Sequence, residues 1–296
     1  MIKLGLALGG GGARGLAHIG VLKVLEQEQI KISSITGCSM GAIIGGLYAY
    51  YGNAGQVEDF IFQIIESKRF KKLTNDKLGE ADRKISKNYF EQLFEKMEVR
   101  LATMQSFGRL SYFNEKNTTE MFKTFPDVPI EDLQINFSAI ATDLLSGDEI
   151  NFTRGSLKSA IRASSAIPGF FAPVTIGDYL LVDGSASESV PVGEVKEIGA
   201  DRVLAVDVSH CIKAARNMDN IISILYRTET ITSFHLSKLR LKEADIVVHP
   251  QVRNLQWTDF DKAADIIYKG ELAAREMINE IKNMLSGNRI KSVNRD

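Results

Sequence analysis

Apolar positions near the N-terminus fall into short runs closed by glycine, separated by stretches of helical spacing. Residues 2–8 (IKLGLAL) read as a buried strand. Across 16–28, Ala17, Gly20, Val21, Val24 and Leu25 recur at i, i+3, i+4, i+7 and i+8, which predicts a helix. A second strand-like run, 32–36, leads through Gly37-Cys38-Ser39-Met40-Gly41 into an apolar helix ending near Gly52. This alternation predicts an α/β fold with a parallel sheet, because parallel strands need helical crossovers.

Residues 55–67 suggest another helix. The stretch 66–116 then changes character, with an excess of Lys and Arg and several phenylalanines, and reads as an insertion or cap. Strand signals return at 135–142 and 149–153 around a Ser146-Gly147 turn, then at 179–182, 203–208 and 246–249. Phe260, Ala264, Ile267, Ala274, Ile278, Ile281 and Leu285 mark a C-terminal helix, expected to pack on the sheet or to form a dimer seam that would make a homo-oligomer. The expected organisation is one domain over 1–285 with a helical cap at about 66–125, followed by a polar tail over 286–296.

With 296 residues, 44% of them hydrophobic, the chain has ample material for a packed core. A net charge of −1 offers no argument for nucleic acid as a partner. Cys38 and Cys211 are too few for a disulfide framework, and no Cys/His cluster has metal-ligand spacing, so a cytoplasmic setting and no metal are expected. The N-terminal run passes into four glycines rather than a signal-peptide core, and the longest apolar stretch, 42–51, is too short to span a bilayer.

Gly10, Gly12 and Gly15 match the glycine fingerprint of dinucleotide-binding folds. The second strand, however, lacks the acidic residue that would bond a ribose, and Leu16 stands where a phosphate loop needs lysine. What remains is a loop whose N–H groups favour negative charge, and that charge could be the oxyanion of ester hydrolysis. Gly37-x-Ser39-x-Gly41 supplies a nucleophile-elbow pattern after the next strand. None of His18, His210, His235 and His249 sits in a triad context; His18, one turn into the first helix, reads as structural. Asp183 ends an apolar run at a strand end and is an economical base for Ser39, with Asp143 and Asp207 as rivals that also end strand-like runs.

These segments resemble the patatin-like phospholipases, serine acyl hydrolases that use a Ser-Asp dyad. The resemblance lies in Gly10-Gly11-Gly12-Ala13-Arg14-Gly15, Gly37-Cys38-Ser39-Met40-Gly41, Ala163-Ser164-Ser165-Ala166-Ile167-Pro168 with Phe171 and Pro173, and Asp183-Gly184. Ser185 stands where the family usually has Gly or Ala. The resemblance implies a three-layer α/β/α fold with a mainly parallel central sheet, Ser39 and Asp183 as the dyad, and an oxyanion hole in the loop of Gly10, Gly11, Gly12 and Arg14. In that hole Gly11 and Gly12 are the N–H donors and Arg14 holds or polarises the loop. It also implies a lipid or acyl-ester substrate and no cofactor. Lys68, Arg69, Lys71 and Lys72 with Phe70, followed by Phe90, Phe94, Met97, Phe107 and Phe113, suggest a basic and greasy cap that touches a membrane surface peripherally. The rival functions are a non-catalytic regulatory protein of the same fold and a nucleotide-binding oxidoreductase.

Overall fold

A computed structural model describes residues 2–75, 111, 113, 115–209, 212 and 221–287. The described strands are β1 (Leu4–Leu8), β2 (Ile32–Cys38), β3 (Asn136–Asp143), β4 (Glu149–Phe152), β5 (Val174–Ile176), β6 (Tyr179–Asp183), β7 (Arg202–Val206) and β8 (Ile246–Val248). They form one mixed sheet in which β3, β2, β1, β7 and β8 run parallel side by side, while β4 and β6 pair antiparallel with β3, and β5 with β6. The helices are α1 (Ala17–Gln27), α2 (Met40–Tyr51), α3 (Ala54–Glu66), α4 (Lys68–Asn75), α5 (Glu115–Phe122), α6 (Leu157–Ser164), α7 (Val192–Glu197), α8 (Ile221–Arg240) and α9 (Ala263–Leu285).

Side-chain alternation along β1 divides the layers. Leu4, Leu6 and Leu8 enter the larger core with α1, α2 and α9, and Ala7 faces a smaller core with Val192 and Val195 of α7. Every residue of β1 is buried, as a strand covered on both faces requires, and each such leucine contributes about 1.5–3 kcal/mol by leaving water. Two polar residues that enter this interior do so as a pair: Thr36 Oγ1 and Ser138 Oγ, on adjacent strands, share a hydrogen bond of 2.9 Å.

The apolar stripe of α9 is spent inside the fold, mainly on α1 and in part on β7 and β8 of the sheet. Gly20 and Gly270 bring the two helices into backbone contact, since a Cβ on Gly20 would fall 2.0 Å from Ile267 O and one on Gly270 2.0 Å from Ala17 O. The stripe is thereby covered by its own chain. Most of the expected cap at 66–125, including Phe90, Phe94, Met97 and Phe107, lies outside the described residues; α4 and α5 are its described parts.

One detail of register sets the site. On one edge of β3, residues 139–142 pair with β4, so β2 and β6 must share the other edge. There β2 ends at Cys38 opposite Ile140, and β6, arriving from the opposite direction, ends at Asp183 opposite Ala141. The two strands meet head to head, with Ser39 and Asp183 at the junction.

Candidate active site

Ser39 occupies the turn between β2 and α2 at φ 53° and ψ −120°, a left-handed conformation that is costly for a residue with a side chain. The neighbouring glycines make the turn sterically feasible: a Cβ on Gly41 would lie 2.0 Å from Leu8 O, and one on Gly37 2.4 Å from the Gly41 backbone. The strained turn is held by Ser164 at the end of α6, whose Oγ accepts the Ser39 N–H at 3.0 Å. Two residues further on, Ala166 O accepts the Asp183 N–H at 2.9 Å. A single short segment therefore anchors the backbones of both Ser39 and Asp183.

The Asp183 carboxylate is buried. Oδ1 accepts the Ser185 N–H at 2.9 Å and faces the Cys38 thiol at 3.7 Å, while Oδ2 has no hydrogen bond among the described residues. Desolvation raises the Asp183 pKa, against the opposing pull of the Ser39 hydroxyl and of the Ser185 and Cys38 donors. Burial, and next the Asp183 charge, push the Cys38 thiol up as well, so it stays protonated and can donate. Only glycine fits at 184, because a Cβ there would fall 2.4 Å from Ile140 O.

The glycine loop lies against the same turn. A Cβ on Gly10 would be 3.3 Å from Ser39 Cβ, and one on Gly15 would be 2.6 Å from Met40 Cβ. The Gly10 N–H is committed to Ser189 O at 2.9 Å, so the part of Gly10 in the loop is close approach to Ser39. The N–H groups of Gly11 and Gly12 make no hydrogen bond among the described residues. Gly12, at φ 57°, also passes under Trp257, whose carbonyl would lie 2.3 Å from a Cβ there. Three further groups brace the loop. Trp257 O accepts the Ala13 N–H at 2.6 Å, buried Arg14 reaches Leu255 O at 3.5 Å, and His18 Nε2 bonds Gly9 O at 2.8 Å. Burial lowers the His18 pKa to about 4, so the neutral ring donates to Gly9, in keeping with the structural role expected of it.

Both rival aspartates are engaged elsewhere. Asp143 closes the turn after β3, accepting from Ser146 N–H and Oγ at 3.0 and 2.9 Å and from Leu180 N–H at 2.9 Å. Asp207 lies 3.1 Å from His249 Nδ1 and accepts the Ser209 N–H at 2.9 Å; burial alone would raise its pKa, and these partners hold it below the usual carboxylate range.

Beside Ser39 opens an apolar pocket with a cavity volume of about 130 Å³, lined among others by Ile43, Ile61, Ile65, Phe122 and Phe171. Phe70 of α4 also lines it, edge-on to Phe260 at 5.1 Å, while Lys68, Arg69 and Lys71 around it are exposed.

Residues 6–196 match the family model described as patatin-like phospholipase. The chain belongs to the patatin-like phospholipase family. This patatin-like chain is 33% identical over 207 residues to an uncharacterized NTE family protein of Mycobacterium tuberculosis, covering 70% of this chain and 49% of that one. It is 32% identical over 205 residues to the lysophospholipase nte1 of Emericella nidulans, covering 69% of this chain and 12% of that one. It therefore spans about half or less of the length of these relatives. Among solved structures, VipD from Legionella pneumophila shares the fold with a TM-score of 0.52 at 14% identity, covering 94% of this chain and 67% of VipD.

Within this patatin-like site, sequence reasoning missed the work of Ser164, Ser189 and the 255–257 segment. Ser164 stood in a run noted for its resemblance alone, and its bond to a backbone N–H has no sequence signal. Leu255 and Trp257 reach the loop across more than two hundred residues, a contact visible only after folding. Among the described residues no helix is long and apolar enough to cross a membrane.

Proposed function

We propose that the protein is a carboxylic ester hydrolase of the phospholipase or lysophospholipase type, with Ser39 as nucleophile and Asp183 as its base. The observation that carries this reading is the head-to-head junction of β2 and β6, which puts a buried carboxylate with an unoccupied Oδ2 beside a serine on a strained turn. In the reaction Asp183 takes the Ser39 proton as Oγ bonds to the ester carbonyl carbon, and the oxyanion is held by the N–H groups of Gly11 and Gly12. Collapse breaks the bond to the leaving alkoxide, which takes the proton from Asp183. Water then attacks the acyl-enzyme with Asp183 again as base, freeing the acid and restoring Ser39. Desolvation makes Asp183 a stronger base than an exposed carboxylate, which suits it to this task without an imidazole.

The apolar pocket fits the acyl chain of a lipid ester, and exposed Lys68, Arg69 and Lys71 beside Phe70 suit a headgroup phosphate or the membrane surface that presents it. The name of the Emericella nidulans relative, lysophospholipase, agrees with a substrate of one acyl chain. Purified protein is expected to release fatty acid from lysophosphatidylcholine and to label at Ser39 with a fluorophosphonate probe. Wild-type turnover by Ser39→Ala protein would overturn the reading, and a wild type that neither turns over nor labels would point to the non-catalytic alternative.

A further inference from the structure

The turn joining β3 to β4 is rigidly built around exposed leucines. Asp143 N–H donates to Asp148 O at 2.9 Å, Gly147 N–H to Asp143 O at 2.9 Å and Leu144 N–H to Leu180 O at 2.8 Å. The Asp143 carboxylate adds its bonds to Ser146 and Leu180, and Asp148 N–H donates to Ser146 Oγ at 3.1 Å. The side chains this framework presents are Leu144 and Leu145, 53% and 69% exposed, beside Tyr179 at 43%. A flexible loop could fold its leucines back onto the protein. This one holds them in water.

The place of the tip is set by register. Cys38 pairs with Ile140, and the chain runs on past the end of β3 at Asp143 to Leu144, four residues or about 13 Å beyond the level of Cys38 at about 3.3 Å per residue. The tip thus projects from the edge of the sheet at which Ser39 lies. A protein partner is disfavoured by size, because a stable protein interface takes roughly 20–30 residues a side and this patch is three side chains. A bilayer needs far less: each leucine transferred from water brings about 1.5–3 kcal/mol at full burial, and tyrosine favours the interfacial zone. The exposed charges at the tip, Asp148 and Asp178, are acidic, so attraction there does not come from anionic headgroups.

We infer that this tip is an interfacial anchor, which inserts Leu144 and Leu145 into the surface of a lipid bilayer and brings Ser39 to the membrane. The inference rests on the lipid reading of the Ser39 site. The test compares wild type, Leu144→Ser/Leu145→Ser and Ser39→Ala for co-sedimentation with phosphatidylcholine vesicles at low and high salt, and for hydrolysis of lysophosphatidylcholine in those vesicles and of a soluble short-chain p-nitrophenyl ester. The double-serine protein is expected to lose vesicle binding by at least about tenfold at either salt concentration, since apolar insertion is not screened. It should lose vesicle-borne turnover in proportion while keeping its rate on the soluble ester, and Ser39→Ala should bind vesicles as wild type does.

Equal vesicle binding by wild type and double-serine protein, or no binding by either, would overturn the anchor while leaving ester hydrolysis at Ser39 standing. A wild-type dimer that the double-serine change converts to monomer would also overturn it, as the mark of a self-association face. Tip-dependent binding without any Ser39-dependent hydrolysis would instead sink the enzymatic reading and keep the anchor.

Discussion

Ser39 keeps a backbone conformation that costs of order 1–3 kcal/mol for a residue with a side chain, and the bond from its N–H to Ser164 Oγ helps to hold it there. Ser164→Ala leaves that buried N–H without its partner and lets Oγ of Ser39 drift from Asp183. The expected result is a fall in kcat of about tenfold to hundredfold with KM nearly unchanged, while Ser164→Thr, which keeps the hydroxyl, retains most activity. Steady-state kinetics on a soluble ester read both. His18 carries a prediction about pH. Its folded pKa, about 4, lies below the ordinary value of 6.5, so the unfolded chain binds the extra proton first. Its stabilisation is complete above pH 6.5 and is lost as pH falls toward 4, by on the order of 3 kcal/mol. Urea unfolding at pH 7 and pH 4.5 should show this loss in wild type and a smaller one in His18→Gln. That His18 is structural was legible from its place in the first helix; that it grips Gly9 was not, because the bond depends on how that helix packs back on the loop.

At the scale of elements, strands and helices of the N-terminal half were legible because their apolar periods are clean, and β2 and α2 begin and end close to where spacing put them. The C-terminal helix was also legible, but not its berth. Its crossing with α1 is tight enough that Gly270→Ala must push backbones apart, with an expected loss of about 1–3 kcal/mol. Gly193 in α7 is the contrast, since nothing lies within 4 Å of a Cβ placed there. Gly193→Ala is expected to raise stability by about 0.5–1 kcal/mol through helix propensity alone. Denaturant midpoints of the two variants should move in opposite directions, and movement in the same direction would contradict this account of the α1–α9 contact.

Across the whole molecule, Glu149 of β4, Glu188 beyond β6 and Glu194 of α7 bring their carboxylates together, and Arg240 of α8 reaches Glu188 at 2.6 Å. Burial first, and then Glu194, raise the Glu188 pKa to about 8; Glu149 is raised for the same reasons. A carboxyl raised in the folded state binds its proton there while the unfolded chain has released its own, so stability falls as pH rises from about 4.5 through about 8. Thermal unfolding between pH 5 and 8.5 should show this decline in wild type and a weaker one in Glu188→Gln. The cluster joins elements far apart in the chain, and no spacing announced it. The chain by itself determined what local chemistry can encode: the α/β class from its periods, the glycine loop and the Ser39 turn from residues that tolerate close approach, and Asp183 as a candidate at a strand end. Tertiary structure alone decided that β2 and β6 meet end to end, that Asp143 and Asp207 are engaged elsewhere, and that the Gly10 N–H is already bonded. The physical reason is that hydrogen-bond partners and strand register are long-range pairings, chosen by how the sheet closes its core rather than by any residue's neighbours in the chain.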